Sequence, residues 1–154
     1  MAFKARPVRA RSPIRERVET RDIFRVNVDG TGIQQLTSFK LNASDPDWSP
    51  DGSKIVFDSG DAGRKGSKGD IYVMAADGSA QTPLTDTPLL PNNFESKFNL
   101  ANNPVWSPSG TRIMYTQFKP RRTQLVVMDA DGSAKRVLIS RNKLVNKVDW
   151  GVHP

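Results

Sequence analysis

The chain of 154 residues contains no cysteine and only one histidine, His153. Without cysteine it can form no disulfide bond, thiolate zinc site or cysteine nucleophile. His153 stands next to the last residue, where chain ends commonly fray, so histidine acid–base or triad chemistry is not expected. The sequence also lacks the Gly-x-Ser-x-Gly motif of serine hydrolases. These absences predict a protein that is not an enzyme.

Long apolar runs are also missing, although hydrophobic residues make up 36% of the chain. No run approaches the length of about 18 apolar residues that a membrane span needs, so none is predicted. Residues 1–12 are basic and lack the apolar core of a secretory signal, which predicts a cytoplasmic protein. We expect residues 1–21 to form a disordered basic arm. The alternatives are a nucleic-acid-binding segment and an organelle-targeting sequence. Its arginines are Arg6, Arg9, Arg11, Arg15, Arg17 and Arg21.

What the chain does contain is a repeat. Three tryptophans share one frame, at residues 45–52 (DPDWSPDG), 103–110 (NPVWSPSG) and 148–151 (VDWG). Between these frames an apolar segment leads each time to an Asp-Gly pair, whose glycines are Gly30, Gly78 and Gly132. The spacing of 48 and then 54 residues predicts four-stranded propeller blades.

Each repeat predicts the four strands of one blade. The tryptophan segment forms a short first strand, and Ser-Pro-x-Gly reverses the chain because proline presets φ and glycine accepts the end of the turn. The segments 54–57 and 112–115, each a basic residue followed by three apolar residues, predict second strands. Third strands at 70–75 and 124–129 end in Asp-Gly hairpin turns, and fourth strands follow. The residues expected to maintain this repeat are Trp48, Pro50, Gly52, Gly78, Trp106, Pro108, Gly110, Gly132 and Trp150.

The fold class predicted from this pattern is all-β. No window combines helical spacing of apolar residues with a cap and a stop. We therefore expect a β-propeller of four-stranded antiparallel blades. Large tryptophans at matching positions predict a core between adjacent blades, so Trp48 and Trp106 are interpreted as core residues rather than as a ligand platform.

The repeat resembles that of TolB-like β-propellers. Residues 45–85 carry Trp-Ser-Pro-Asp-Gly, Ile-Tyr-Val-Met, Asp-Gly-Ser and Leu-Thr in that order, and the resemblance covers about residues 22–151. It implies a propeller, usually six-bladed, that binds partners. A non-enzymatic scaffold for protein or other macromolecular interaction is the function that we expect.

The predicted boundaries divide the repeats into about three blades. They are a partial blade (22–42), a blade (43–85), an inserted connector (86–102), a blade (103–139) and a closing strand (140–154). Closed propellers have about four to eight blades. We therefore expect a homodimer that completes a six-bladed ring, either C2-related or head-to-tail. The alternative is a shortened paralogue that folds as an open arc.

The candidate binding site lies on the irregular loops. In a four-stranded antiparallel blade, the loops between second and third strands share one face with the connections between blades. With a net charge of +7, basic loops on that face predict an anionic partner, whereas cations that only solubilise the loops are the alternative. Apolar residues in the connector either fold over the channel or meet a partner. The candidate residues are Arg64, Lys65, Lys68, Phe94, Phe98, Lys119, Arg121, Arg122, Arg141 and Lys143.

A metal or cofactor site has weaker support in the sequence. A dense set of aspartates makes calcium binding a candidate: Asp45, Asp47, Asp51, Asp58 and Asp61. Their spacing matches no defined calcium loop, however, and aspartate is an ordinary turn residue. No cofactor is therefore predicted, and calcium is the one candidate. Two other functions stay open: a propeller-type lyase or hydrolase with a carboxylate or metal in its channel, and binding of an anionic polymer or nucleic acid.

Overall fold

The computed structural model describes residues 2–5, 21–38, 42–60, 67–88, 98–142 and 149–151. These residues form strands and turns without a helix, so the predicted all-β fold class is confirmed. A three-stranded antiparallel sheet has the order β1-β2-β3, and a larger sheet has the order β11-β10-β9-β8-β6-β5-β4 with β7 beside β6. The strands are β1 (Ala2–Ala5), β2 (Asp22–Arg25), β3 (Gln34–Gln35), β4 (Asn42–Trp48), β5 (Lys54–Gly60), β6 (Ser67–Ala75), β7 (Thr82–Pro83), β8 (Phe98–Trp106), β9 (Arg112–Lys119), β10 (Arg122–Asp129) and β11 (Arg136–Arg141).

The strands group into the blades that the repeat predicts. The strands β4 to β7 form one four-stranded antiparallel blade, and β8 to β11 form the next. We call them the middle blade and the last blade, and the sheet of β1 to β3 the first blade. A short parallel pairing of β6 with β8, such as Gly69 with Leu100, joins the middle and last blades.

Several predicted boundaries differ from the structure. The arm was expected to be disordered over 1–21, but β1 pairs with β2, with Phe3 opposite Phe24; residues 6–20 lie outside the described residues. The sequence pattern alone misses β1, because this strand depends on the open edge of β2, the position that a second strand takes in the other blades. The strand β8 begins within the predicted connector, and β11 continues to Arg141, beyond the predicted end of its blade.

The Ser-Pro-x-Gly segments form the turns between first and second strands. The N–H of Gly52 donates to the carbonyl oxygen of Ser49 over 2.8 Å, and the Ser49 hydroxyl accepts from the N–H of Lys54 over 2.9 Å. Gly52 and Gly110 have φ values of 70° and 69°, where a side chain is disfavoured. The local sequence thus fixes this reversal in both complete blades.

A paired aspartate and threonine end the fourth strand in the first two blades. The Thr85 hydroxyl donates to Asp70 over 2.9 Å and accepts from the N–H of Ile71 over 3.0 Å. Thr37 makes the same two bonds, to Asp22 and from Ile23, in the first blade. Because the threonine side chain takes the N–H that a longer strand would use, β3 and β7 have two residues each.

The last blade lacks this pair. Gln124 and Ile139 stand where Asp70 and Thr85 stand in the middle blade. Ile139 pairs with Leu125 in the β-ladder instead, and β11 reaches six residues. The last blade therefore presents a longer and more apolar outer strand than the other two.

The hydrophobic core lies between blades rather than inside any one of them. One cluster joins Ile23 and Leu36 of the first blade to the middle blade's Ala43, Ile55, Phe57 and Met74. A second cluster joins Val56, Ile71 and Leu84 of the middle blade to Trp106, Ile113, Tyr115, Val126 and Met128 of the last. Trp106 is only 6% exposed, and its backbone N–H donates to the Asp47 carboxylate of the middle blade over 2.7 Å. Each blade is therefore stabilised mainly by its neighbour.

Each Asp-Gly turn contacts the fourth strand of the preceding blade. A Cβ built on Gly78 would lie 2.8 Å from the carbonyl oxygen of Leu36, and one built on Gly132 would lie 2.9 Å from that of Leu84. Both glycines also have positive φ, at 90° and 87°. We call this contact the glycine joint; it occurs twice and requires glycine for its close approach as well as its conformation.

Near the C-terminus the described part of the chain, Asp149 to Gly151, is not in a strand. Residues 143–148 and 152–154 of the predicted closing strand, His153 among them, lie outside the described residues. The Trp150 ring still reaches the last blade, where its Nε1 donates to the carbonyl oxygen of Val105 over 3.4 Å. Trp150 thus approaches the last blade from the side on which a further blade would pack.

Candidate functional site

The described strands that flank the irregular loops end or begin at one edge of the eight-stranded sheet. Along this edge, one residue of each of six neighbouring strands is paired with a residue of the next strand. This line of residues runs through Gly60, Gly69, Leu100, Phe118, Thr123 and Arg141. The strands β5, β9 and β11 end beside this line, while β6, β8 and β10 begin beside it. We call this the long-loop edge, and the opposite edge, with the Ser-Pro-x-Gly and Asp-Gly turns, the short-turn edge.

Four of the predicted basic residues come together on the long-loop edge of the last blade. Lys119 ends β9 and is directly opposite Arg122, which begins β10. Arg121 lies in the turn between them, and Arg141 is opposite Thr123, the residue after Arg122. All four side chains are exposed. We call these four residues the basic cluster; like charges placed opposite each other on neighbouring strands are destabilising, so this arrangement has an energetic cost.

The turn within the basic cluster holds an arginine where glycine is favoured. Pro120 occupies the second position of the reversal from Lys119 to Arg122, and Arg121 follows it with a φ of 72°. A turn with proline second and a positive φ third is of the type that usually carries glycine or asparagine in the third position. The left-handed conformation costs about 1–2 kcal/mol for a residue with a Cβ. The sequence alone did not show this strain, although Pro120 marks the turn.

The remaining predicted site residues are described only in part. Lys68 is opposite Asn99, and Phe98 is opposite Ser67, so both backbone positions lie near the long-loop edge. Four others lie outside the described residues: Arg64, Lys65, Phe94 and Lys143. The structure thus brings Lys119, Arg121, Arg122 and Arg141 together and does not describe the side chains of the rest.

The short-turn edge carries charges of both signs. Hydrogen bonds from Ser49 and Ser53 lower the pKa of Asp51 to about 2. The pKa of Asp77 and that of Asp131 are lowered in the same way by hydrogen bonds from the serine two residues later. These carboxylates are therefore ionised at neutral pH, and the same edge carries cations such as Lys54 and Arg136, at the starts of β5 and β11.

Three of the aspartates considered as a calcium site each accept hydrogen bonds from a different part of the chain. Asp47 accepts a hydrogen bond from the N–H of Trp106, Asp51 accepts one from the N–H of Ser53, and Asp58 accepts one from the Ser44 hydroxyl. Burial raises the pKa of Asp47. Within the described residues, no group of three or more acidic or histidine side chains could hold a metal ion. Asp61 lies outside those residues.

Comparison with known proteins places the repeat among TolB-like sequences. No protein-family model matches the chain. An uncharacterised protein of Agrobacterium fabrum is 32% identical over 104 residues, which are 64% of this chain and 32% of that protein. The Tol-Pal system protein TolB of Anaeromyxobacter dehalogenans is 32% identical over 121 residues, 79% of this chain and 24% of that protein. An uncharacterised peptidase of Bacillus subtilis is 34% identical over 85 residues, 55% of this chain and 11% of that protein.

Solved structures share the fold at lower sequence identity. A structure assigned as TolB from Agrobacterium tumefaciens has a TM-score of 0.67 at 22% identity and covers 90% of this chain and 45% of its own. A chain of the nidogen/laminin complex has a TM-score of 0.64 at 18% identity, covering 84% and 44%. An oligogalacturonate lyase in complex with manganese has a TM-score of 0.55 at 14% identity, covering 80% and 31%.

The blades, their joints and these neighbours define the chain as a β-propeller protein. Its repeats are those of the TolB-like β-propeller family, as the sequence resemblance indicated. The chain spans about a third or less of the length of the three curated relatives described above. Those relatives and structural neighbours include Tol-Pal system proteins as well as a peptidase and a lyase, so the shared fold does not select an activity.

The part of the chain that the structure describes has no helix long and apolar enough to cross a membrane. The cytoplasmic location expected from the N-terminus is not supported by these relatives.

Proposed function

We propose that the chain is a non-enzymatic TolB-like propeller module that binds an acidic protein surface through the basic cluster. A homodimer that completes a six-bladed ring is part of this proposal. The nidogen/laminin complex and the Tol-Pal system proteins among the similar proteins support a role in protein binding. The proposal assigns the propeller as a rigid scaffold and the long-loop edge as its binding face.

The observation that carries the proposal is the position of Arg121. A strained residue that the surrounding structure retains is a reason to look for function at that place. Arg121 is at the tip of a hairpin whose strands end and begin with Lys119 and Arg122, so the strain holds a third cation between two others. Glycine would relieve the strain but remove the charge, which favours a role for the charge itself.

Reversing charges in the basic cluster should weaken binding to an acidic polypeptide. The probe is a fluorescent 20-residue polyglutamate peptide, titrated by anisotropy in about 0.1 M salt, where charges more than about 10 Å apart are largely screened. We expect the double variant Lys119→Glu/Arg122→Glu to bind at least about tenfold more weakly, because two close attractive contacts become repulsive.

A matched control separates the basic cluster from net charge. The double variant Lys54→Glu/Arg136→Glu changes the charge by the same amount on the short-turn edge, and we expect less than about a twofold loss at this ionic strength. Equal losses in the two variants would show that binding follows net charge and would overturn the proposal. A 20-nucleotide single strand tests the nucleic-acid alternative: tighter binding than polyglutamate, falling steeply with salt, would replace an acidic protein by a nucleic acid as the partner.

A single substitution should separate stability from binding. Arg121→Gly removes the strain of a left-handed residue with a Cβ, partly offset by the greater freedom of glycine in the unfolded chain, so the free energy of unfolding should rise by up to about 1 kcal/mol. The same variant should bind polyglutamate about two- to fivefold more weakly, since it loses one exposed cation. Urea unfolding by circular dichroism and the anisotropy titration measure the two effects.

Arg121→Lys is the control for that experiment. It retains both the positive φ and the charge, so stability and binding should stay close to those of the original chain. If Arg121→Gly stabilises the fold and leaves binding unchanged, the hairpin tip takes no part in recognition and the proposal loses its main support.

A propeller-type enzyme is the second candidate, favoured by the lyase with manganese and the peptidases among the similar proteins. It predicts a carboxylate or metal site in the channel. Manganese and calcium titrations followed by isothermal calorimetry test it: stoichiometric binding of either ion to the chain would favour the enzyme over the binding module.

A further inference from the structure

We propose that two copies of this chain bind head to tail through a third glycine joint, formed by the Gly30 turn of one copy and the Leu138 strand of the other. The inference rests on the homodimer of the proposed function and specifies which surfaces meet. The evidence is that the two joints within the chain use corresponding residues, while the first and last blades each carry one half of the joint without a partner among the described residues.

The three repeats align residue by residue at this contact. Gly30, Gly78 and Gly132 each precede a leucine by six residues, namely Leu36, Leu84 and Leu138. Inside the chain the Gly78 turn contacts Leu36 and the Gly132 turn contacts Leu84. By the same pattern, we expect Leu138 to contact the glycine turn of a further blade.

The Gly30 turn is the free first half of such a joint. Gly30 has a φ of 83°, close to the values at Gly78 and Gly132, but among the described residues nothing would lie within 4 Å of a Cβ built on it. Val28 and Ile33 of the same turn are exposed, Ile33 by 66%. This turn has the conformation of the docked turns without a described neighbour to dock against.

The strand β11 is the free second half. Leu36 and Leu84 are buried, whereas Leu138 is 42% exposed and Val137 and Ile139 are similarly exposed. These three residues form a continuous apolar segment on the outer strand of the last blade. In the middle blade the same strand positions are Pro83, Leu84 and Thr85, so the exposed segment is the more apolar of the two.

The free turn differs from the docked turns in a way that matches this segment. Gln81, which donates to the carbonyl oxygen of Leu36 over 2.9 Å, is replaced in the first blade by Ile33. Ala130, which packs against the core cluster containing Leu84, is replaced there by Val28. Both replacements add apolar surface to the turn, and β11 has Val137 and Ile139 where the middle blade has Pro83 and Thr85. Both halves are therefore more apolar than their counterparts in the internal joints.

The same docking would complete a shared blade. The first blade has β1, β2 and β3 but no first strand among the described residues, and β1 is at the edge where a first strand would pair. Trp150 belongs to a first-strand frame and already contacts the last blade, through Val105. A partner docked on β11 would bring its β1 edge toward the Trp150 segment. Such a contact is heterologous, and two of them close a ring of two chains.

One pair of substitutions tests the joint without disturbing the fold. Asparagine tolerates a left-handed conformation, so Gly30→Asn should fold, but its side chain would collide with the partner's Leu138 strand. Gly52→Asn is the matched control, because Gly52 has a φ of 70° and also lacks a described neighbour within 4 Å of its Cβ position, yet lies outside any joint. Light scattering during gel filtration should give about twice the chain mass of 17.1 kDa for the original chain and for Gly52→Asn. Gly30→Asn should elute as a monomer, with dimer affinity at least about 100-fold weaker.

Cysteine cross-linking tests the direction of pairing, and the chain has no other cysteine. In the internal joint the Gln81 side chain reaches the carbonyl oxygen of Leu36, and Ile33 holds the corresponding position in the Gly30 turn. Under oxidising conditions a mixture of Ile33→Cys and Leu138→Cys chains should form covalent dimers, whereas neither variant alone should. Covalent dimers of Ile33→Cys alone would show head-to-head pairing and overturn the inference, as would a monomeric original chain at about 100 µM.

These outcomes are distinguishable from those of the binding proposal. Lys119→Glu/Arg122→Glu should remain a dimer while losing affinity for polyglutamate. Gly30→Asn should retain the basic cluster and bind polyglutamate as a monomer. A monomeric original chain that binds the peptide would refute the joint and leave the basic cluster as the binding site.

Discussion

Trp106→Ala should lower the free energy of unfolding by about 3 to 5 kcal/mol, the usual cost of removing a buried tryptophan. Trp106 is 6% exposed and packs among residues of both the middle and the last blade, so truncation leaves a cavity in their shared core. Its ring Nε1 has no hydrogen-bond partner among the described residues, so the loss is one of packing. Urea unfolding followed by circular dichroism at a fixed protein concentration measures it.

Two other variants calibrate this result. Trp106→Phe keeps an aromatic ring in the core and should cost less than half as much. Trp150→Ala should also cost less, because Trp150 is only partly buried. If Trp106→Ala were no more destabilising than Trp150→Ala, the core between the middle and last blades would not be the main source of stability.

Gly132→Ala should destabilise the fold by about 2 to 5 kcal/mol. A left-handed residue with a Cβ costs about 1–2 kcal/mol, and forcing that Cβ into a packed contact costs about 1–3 more. The contact here is with the backbone, since the Cβ would lie 2.9 Å from the carbonyl oxygen of Leu84 and cannot be relieved by a rotamer change. Thermal and urea unfolding provide the measurement.

Gly52→Ala separates the two contributions. Gly52 has a positive φ but no described atom within 4 Å of its Cβ position, so only the conformational cost of about 1–2 kcal/mol applies. Similar losses for Gly52→Ala and Gly132→Ala would mean that the Gly132 turn does not press on Leu84 and that the glycine joint contributes little.

Local signals account for what the sequence predicted correctly. The Ser-Pro-x-Gly and Asp-Gly turns, and the apolar runs between them, are determined by neighbouring residues, so the strand order of both complete blades could be predicted. The edge that carries the irregular loops followed from strand order alone. The position of Lys119, Arg122 and Arg141 at that edge was expected for the same reason, because antiparallel strands place those positions there, whereas their role in binding stays a prediction.

The features that the sequence did not predict depend on distant contacts or oppose local preference. The strand β1 forms only because β2 offers an unpaired edge. The first strands contain bulges where Asp45 and Asn103, each followed by proline, adopt positive φ. Arg121 likewise occupies a conformation that favours glycine. Propensity argues against the left-handed conformation at Arg121, and although aspartate and asparagine tolerate it, nothing local marks Asp45 and Asn103 as bulges.

The location of the core between blades has a consequence for how stability grows with the number of blades. An open row of blades has one interface fewer than it has blades, whereas a closed ring has as many interfaces as blades. Closing the ring thus adds interfaces without adding a residue, and the gain depends on protein concentration when the closing partner is another chain. If two copies close the ring as proposed, dilution should therefore lower the midpoint of thermal unfolding.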